Sequence, residues 1–252
     1  MSKNGPHLPA SPASVRAAEP TPHDVIWSPD RIQRFWDFIG SSSDREDTYF
    51  SKLHGRSLID FVSARIPIGR AFDMGCGRGD LIGYLLEKYE ASGADQSPTS
   101  VAEVNRKFGG HRRFRGAFVG TEQVADSTAD TLFIVEVVEH LDDQSLASVL
   151  SEARRLLKPG GNLVLTTPND ENLEASKIMC PECACIFHSW QHVRSWTKAS
   201  LVDYLREFGF EGVGVPTLLS QHSGAKRAAQ RIVRRLLAYP KPHLVYVGSR
   251  TA

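Results

Sequence analysis

The sequence predicts an α/β fold: a doubly wound, seven-stranded, mostly parallel sheet with helices on both faces. Three observations carry this. From Arg70 onward, apolar runs of strand length recur near 70–75, 91–95, 113–119, 130–137, 161–167, 210–216 and 243–249. Helical segments alternate with them near 79–89, 98–108, 143–157 and 197–208, and strands alternating with helices build parallel sheets. The first of these strands passes into its helix through Asp73-Met-Gly-Cys-Gly-Arg-Gly79, a glycine turn that brings backbone close to a ligand. With 252 residues, 41% of them hydrophobic, the chain can fill one such core with small additions to spare.

Residues 1 to about 24 are rich in Pro, Ala and Ser, the composition of a disordered tail. Residues 25–69 read as a helical cap. Ser28-Pro29 opens its first helix with proline at the first helical position, and Ile32, Phe35, Trp36 and Ile39 follow at helical spacing. A second helix is expected from Tyr49 to about Ala64. Residues 70–252 form the main domain, in which Lys158-Pro-Gly-Gly161 stops the preceding helix and turns the chain. Two additions interrupt it. One is a Cys/His-rich stretch at about 176–196; the other is a basic helix at about 222–238, carrying Lys226, Arg227, Arg231, Arg234 and Arg235.

A formal net charge of +1 gives no global attraction to nucleic acid or membrane, so either would have to come from local patches. Two patches qualify: Arg106, Lys107, Arg112, Arg113 and Arg115 around the third strand, and the basic helix. That helix could meet RNA phosphates or make peripheral contact with an anionic membrane; the alternative is a solvated helix packed on the sheet. There is no secretory h-region and no apolar run long enough to span a bilayer. Three of the four cysteines cluster in Cys180-Pro-Glu-Cys183-Ala-Cys185, which argues for a reducing compartment over a disulfide framework. The cytoplasm is the expected location.

The glycine turn also says what it binds. Gly75, Gly77 and Gly79 follow a G-x-G-x-G pattern, whereas dinucleotide turns read G-x-G-x-x-G. Asp73, just ahead of them, would repel a pyrophosphate and suits a cation. Asp95, ending Ala91-Ser-Gly-Ala-Asp95, can accept hydrogen bonds from both hydroxyls of a ribose. This pattern, together with Leu157-Lys-Pro-Gly-Gly161 before an apolar strand, resembles the class I S-adenosylmethionine-dependent methyltransferases over roughly residues 70–252. The resemblance implies a Rossmann-like sheet whose last strand, Leu244-Val-Tyr-Val247, runs antiparallel. It implies S-adenosylmethionine held by Asp73, Gly75, Cys76, Gly77, Asp95, Gln96 and Glu136, with the N-terminal helices closing over it. One departure stands out. Many relatives place an adenine-binding acid directly after the third strand, where this chain has Val119-Gly-Thr121 and then Glu122.

The fourth strand ends in Glu136-Val-Val-Glu139-His140, at the edge of the sheet where ligands bind in open α/β folds. Two carboxylates and an imidazole can ligate a divalent cation; alternatively Glu139 and His140 organise the next loop with Asp142 and Asp143. Downstream come Thr166-Thr-Pro-Asn-Asp-Glu171-Asn172 and His188-Ser-Trp-Gln-His192-Val-Arg-Ser-Trp196-Thr197. The ensemble resembles the small-RNA 3′-terminal 2′-O-methyltransferases, and that resemblance implies Glu136, Glu139, His140 and His192 as ligands of Mg2+ or another divalent ion. Quinol O-methyltransferases of ubiquinone synthesis and bacterial sugar methyltransferases carry a similar E-x-x-E-H.

A hydroxyl is a poor nucleophile at neutral pH. Metal coordination would activate it; without a metal, His140 or His192 could act as general base. The candidate catalytic residues are therefore His140, His192 and Glu139, and a shared ion requires His192 within roughly 8 Å of His140. The expected activity is O-methylation of a sugar or related small molecule. An RNA 3′ ribose and a quinol are alternative acceptors, and a catalytically silent zinc-stabilised binding module is the alternative of a different class. Finally, Cys180, Cys183, Cys185 and His188 could complete a tetrahedral Zn2+ site of structural type, the alternative being a plain thiol cluster.

Overall fold

The computed structural model describes residues 20–41, 49–221 and 240–251. The basic helix expected at 222–238 lies outside the described residues, as does most of the expected tail. Among the described residues, ten strands and six α-helices follow in the order β1 (His23–Asp24), α1 (Pro29–Ser41), α2 (Phe50–Ser63), β2 (Ala71–Met74), α3 (Asp80–Leu85), β3 (Ala91–Asp95), α4 (Pro98–Phe108), β4 (Phe114–Val119), β5 (Ala129–Val135), α5 (Asp143–Leu156), β6 (Leu157–Pro168), β7 (Lys177–Met179), β8 (Cys185–His188), α6 (Lys198–Glu207), β9 (Phe210–Thr217) and β10 (His243–Arg250).

Seven strands form the main sheet in the order β4-β3-β2-β5-β6-β10-β9. Neighbours from β4 to β6 pair in parallel, whereas β10 is antiparallel to both β6 and β9, as the family resemblance implies for the last strand. Continuous apolar runs explain the central strands: β2 is buried throughout, and Leu132, Phe133 and Ile134 of β5 are fully buried because helices cover both faces. Two hydrophobic clusters result. One gathers Leu146, Leu150, Ala153, Leu201 and Leu205 of α5 and α6 against one face; the other gathers Leu58, Val62, Leu81, Ile82 and Val104 of α2, α3 and α4 against the other.

Local signals set the helix ends. Asp142 caps α5 by accepting from the Ser145 amide at 2.7 Å, with Arg154 and Arg155 in the last turn favouring the helix dipole. Thr197 and Ser200 form a reciprocal capping box on α6. Asp142→Ala is expected to cost about 1 kcal/mol, seen as a melting temperature lowered by about 2–4 °C.

Three departures from expectation have local causes. Helix α3 stops at Leu85 rather than 89, giving way to turns. Lys158–Gly161 does not lie outside a strand; it forms a register shift within β6, with Leu157 opposite Ala129 and Asn162 opposite Thr131, and Gly160 at φ 72°. His23 and Asp24, expected within the tail, instead form β1, which pairs in parallel with β8 and, with β7, makes a second three-stranded sheet.

Candidate active site

Every strand of the parallel set delivers its carboxyl end to one edge of the sheet, and the polar residues singled out above gather there. Strand β2 ends at Met74, and the chain turns through Gly75 at φ 82°, Gly77 at φ 48° and Gly79 at φ 77°. These left-handed values are why glycine is needed. A Cβ on Gly77 would meet nothing within 4 Å, so its backbone faces open space, whereas one on Gly75 would lie 2.7 Å from Cγ2 of Val137. Val137 belongs to the loop carrying Glu136 and Glu139, so the glycine turn and the acidic loop are packed directly on each other.

Asp95 closes β3 with its carboxylate fixed by two amides, accepting from Gly77 N and Ser97 N, each at 2.9 Å. Burial raises its pKa, and the amides of Ser97, Gly77 and Gln96 oppose that. Asp73 is buried, and its pKa is pushed up to about 8 by burial first and then by the negative fields of Asp95 and Asp80. A carboxyl buried against two other acids is a poor place for an anion and a good one for a cation. The backbone opening at Gly77 and the acids at Asp73 and Asp95 therefore fit a ligand with a cationic amino-acid end and a ribose. Cys76, buried beside them, has its thiol pushed far up by burial and the same two acids, so it packs as an apolar group. Gln96 follows Asp95 in the same turn, and Glu122 folds back against Gly120, where a Cβ would collide with its carboxylate.

Asp73 makes a pH prediction. In the unliganded protein it is largely protonated at pH 7; a bound cation favours the carboxylate, so binding releases a proton. Cofactor affinity should thus rise with pH from about 6 to about 8, where the carboxyl titrates. Calorimetry in buffers of different ionisation enthalpy would register up to one proton released, and Asp73→Asn should abolish that release.

Beyond Val135 the chain makes a left-handed kink at Glu136, φ 52°, unusual for a residue with a side chain. The Glu136 carboxylate accepts from Thr166 Oγ1 at 2.7 Å, and burial raises its pKa to about 7, partly countered by Thr166 and reinforced by the charge of Glu171. Glu139 is 1% exposed; Thr167 Oγ1 donates to its Oε2 at 3.1 Å, while Oε1 has no hydrogen-bond partner. Burial, then the charge of Glu136, holds its pKa well above the usual carboxylate range. His140 is pushed down to about 3 by burial and by the charges of His192 and His188, so it is neutral at physiological pH.

The Cys/His stretch arrives from the other side. His192 lies with its ring 4.9 Å from that of His140, inside the reach set above, and stacks on His188 at 4.4 Å. Its Nδ1 meets Glu171 Oε2 at 2.5 Å. Burial works to raise the Glu171 carboxyl, but the His192 hydrogen bond and the charges of His192 and His188 hold it below the usual range. Two sets of donor atoms result, each within 4.8 Å of one another: Glu139, His140 and His192, and Glu171, His188 and His192. The expected four-ligand set is therefore revised. Glu136 is drawn onto Thr166 and stands outside both sets, and Glu171 and His188 enter.

The expected zinc set is revised too. Cys180, Cys183 and Cys185 bring their Sγ atoms within 4.8 Å of one another, but His188 sits in the acid–imidazole cluster instead. Strand alternation is the reason: three residues apart on β8, Cys185 and His188 point to opposite faces.

Sequence reasoning gave no role to Glu171, Gln191 or Trp36. Gln191, fully buried at φ 60°, donates to the His140 carbonyl at 2.9 Å and accepts from Trp36 Nε1 at 2.9 Å. Trp36 of α1 lies edge-on to His140 at 4.7 Å, so the N-terminal helix walls the site. Only the glutamate had a visible signal, in Thr166-Thr-Pro-Asn-Asp-Glu171.

A family model described as a methyltransferase domain matches residues 30–215. The chain belongs to the class I S-adenosylmethionine-dependent methyltransferases. Among relatives of this methyltransferase, a Mycolicibacterium smegmatis protein described as a probable S-adenosylmethionine-dependent methyltransferase is 29% identical over 77% of this chain and 74% of its own length. A ubiquinone biosynthesis O-methyltransferase of Hahella chejuensis is 29% identical over 56% of this chain and 58% of its own length. The fold matches a Burkholderia thailandensis 1,6-didemethyltoxoflavin-N1-methyltransferase solved with S-adenosylhomocysteine, with a TM-score of 0.61 and 18% identity over 96% of this chain and 100% of that one. Among the described residues, no helix of this methyltransferase is long and apolar enough to cross a membrane.

Proposed function

We propose that this methyltransferase transfers a methyl group to a hydroxyl of a sugar or related small molecule, with His192 as general base. The observation that carries this reading is the 2.5 Å contact of His192 Nδ1 with Glu171, beside His140 and Glu139 at the carboxyl edge of the sheet. When bound, S-adenosylmethionine supplies an electrophilic methyl group on a sulfonium. Asp73, Asp95 and the Gly75–Gly77 backbone position it. An imidazole held by a carboxylate on Nδ1 keeps Nε2 as a proton acceptor, and Glu171 stabilises the positive charge that develops on taking the hydroxyl proton. His140, with its pKa near 3, is too weak a base for that step and serves to position the acceptor. Trp36 excludes water from one side.

A second reading rests on different atoms. Glu139 Oε1 and His140 Nδ1 are buried without hydrogen-bond partners, and donor atoms of Glu139, His140 and His192 lie within 4.8 Å of one another, which fits a divalent cation. Glu139, His140 and His192 would hold such an ion, which would supply Lewis-acid activation of the hydroxyl.

The ubiquinone O-methyltransferase relatives make a quinol the alternative acceptor. An RNA acceptor draws less support. Arg113 is engaged with the carbonyls of Leu86 and Glu87, and Arg115 with Glu90, at the amino edge of the sheet, away from the site. Four free thiols suit a reducing, cytoplasmic setting. Transfer of labelled methyl from S-adenosylmethionine into glycan, quinol and RNA pools, with and without chelator, tests the reading. Chelator-insensitive label in a glycan or small-molecule pool supports it, chelator-sensitive label moves the mechanism to the metal, and label confined to RNA overturns the acceptor.

A further inference from the structure

We propose that Cys180, Cys183 and Cys185, joined by His23 from the N-terminal strand, form a zinc site that staples β1 onto the β7–β8 hairpin and so holds the wall of the active site. The three Sγ atoms lie within 4.8 Å of one another, with Cys183 and Cys185 at 3.3 Å. The backbone already has the form of a chelating turn: Cys180 N donates to Cys185 O, and Ala184 N to Cys180 O, both at 2.9 Å. Ala184, between two of the thiols, takes φ 57°, a left-handed conformation that a residue with a side chain adopts only at a cost. A bound ion would over-determine such a strained turn.

The fourth ligand comes from register. In the parallel pair of β1 and β8, His23 is the partner of Cys185, so their side chains share a face, the one opposite His188. His23 N donates to Ala184 O at 3.2 Å, which fixes β1 beside the cysteine turn. The His23 ring is exposed, with Nδ1 3.0 Å from the Thr21 carbonyl; in the proposed site it turns about its side-chain bonds to bring a ring nitrogen to the thiols on its own face. Three thiolates select zinc over magnesium, so this site and the Glu139–His140–His192 set would differ in the metals they accept. The structural consequence follows from the hairpin. Strand β8 runs from Cys185 straight into His188, Phe187 packs on Trp27 at 6.2 Å, and Trp27 packs on Phe35 beside Trp36.

The test uses the full chain purified under reducing conditions. Metal analysis after dialysis is expected to find zinc, and replacement by Co2+ is expected to give thiolate-to-cobalt charge-transfer absorption, which the Glu/His cluster cannot produce. Cys183→Ser should lose that absorption. His23→Ala should keep a thiolate signal with an altered visible spectrum and zinc affinity weakened by about 10-fold or more, the loss that even outer partners of a metal ligand produce. Unchanged S-adenosylmethionine binding in each variant shows that the main domain is folded. Absence of charge-transfer absorption in the reduced, folded wild type, or a Cys183–Cys185 disulfide that persists in reductant, overturns the site. A His23→Ala spectrum identical to wild type overturns the fourth ligand.

Discussion

His192→Ala is expected to lower kcat by roughly 10²–10⁴-fold, the usual contribution of a positioned general base, while S-adenosylmethionine affinity stays near wild type. The two effects separate because His192 contacts Glu171, His188 and His140, whereas the cofactor is expected on the glycine turn with Asp73 and Asp95. Glu171→Gln should fall in the same direction, since it keeps the shape but removes the carboxylate that supports a charged imidazole. Single-turnover rates with saturating cofactor would measure both. A His192→Ala enzyme with full kcat would remove His192 from the chemistry.

Asp73→Asn should weaken S-adenosylmethionine binding by roughly 10–150-fold, the value of a charge-assisted contact worth about 1.5–3 kcal/mol. The substitution leaves the turn intact, because the glycines are held by Asp95 and by backbone hydrogen bonds from Gly75 and Cys76 to Ala94. It should also flatten the rise of affinity between pH 6 and about 8, the window over which the Asp73 carboxyl loses its proton. Equilibrium dialysis across that range would show both effects. Equal binding by wild type and Asp73→Asn would mean that the cation lies elsewhere.

The main sheet was legible in the sequence because its strands carry strong periodic signals: continuous apolar runs such as Leu132–Val135, bounded by turns and followed by amphipathic helices. The glycine turn after β2 was legible because its residues are contiguous. The small sheet was not. A two-residue strand has no period, and His23 pairs with Cys185 across most of the chain, so nothing local announces the contact. The same nonlocality hid Trp36 and Gln191, whose hydrogen bond links residues 155 apart. His188 was misgrouped for a different reason. Spacing along the sequence puts it near the cysteines, but strand alternation on β8 turns it to the other face, where Glu171 and His192 wait. Glu136, expected as a ligand, was diverted by a hydroxyl on the neighbouring strand, Thr166, which no reading of its own motif would disclose.

Direct methyl transfer from labelled S-adenosylmethionine is the most direct test of the account, run in parallel with wild type and His192→Ala on a small-molecule hydroxyl pool. The account predicts alkali-stable label in the ether form with wild type and its loss by at least about 100-fold with His192→Ala, at equal cofactor occupancy. Label on nitrogen or carbon, or equal transfer by the two proteins, would contradict it.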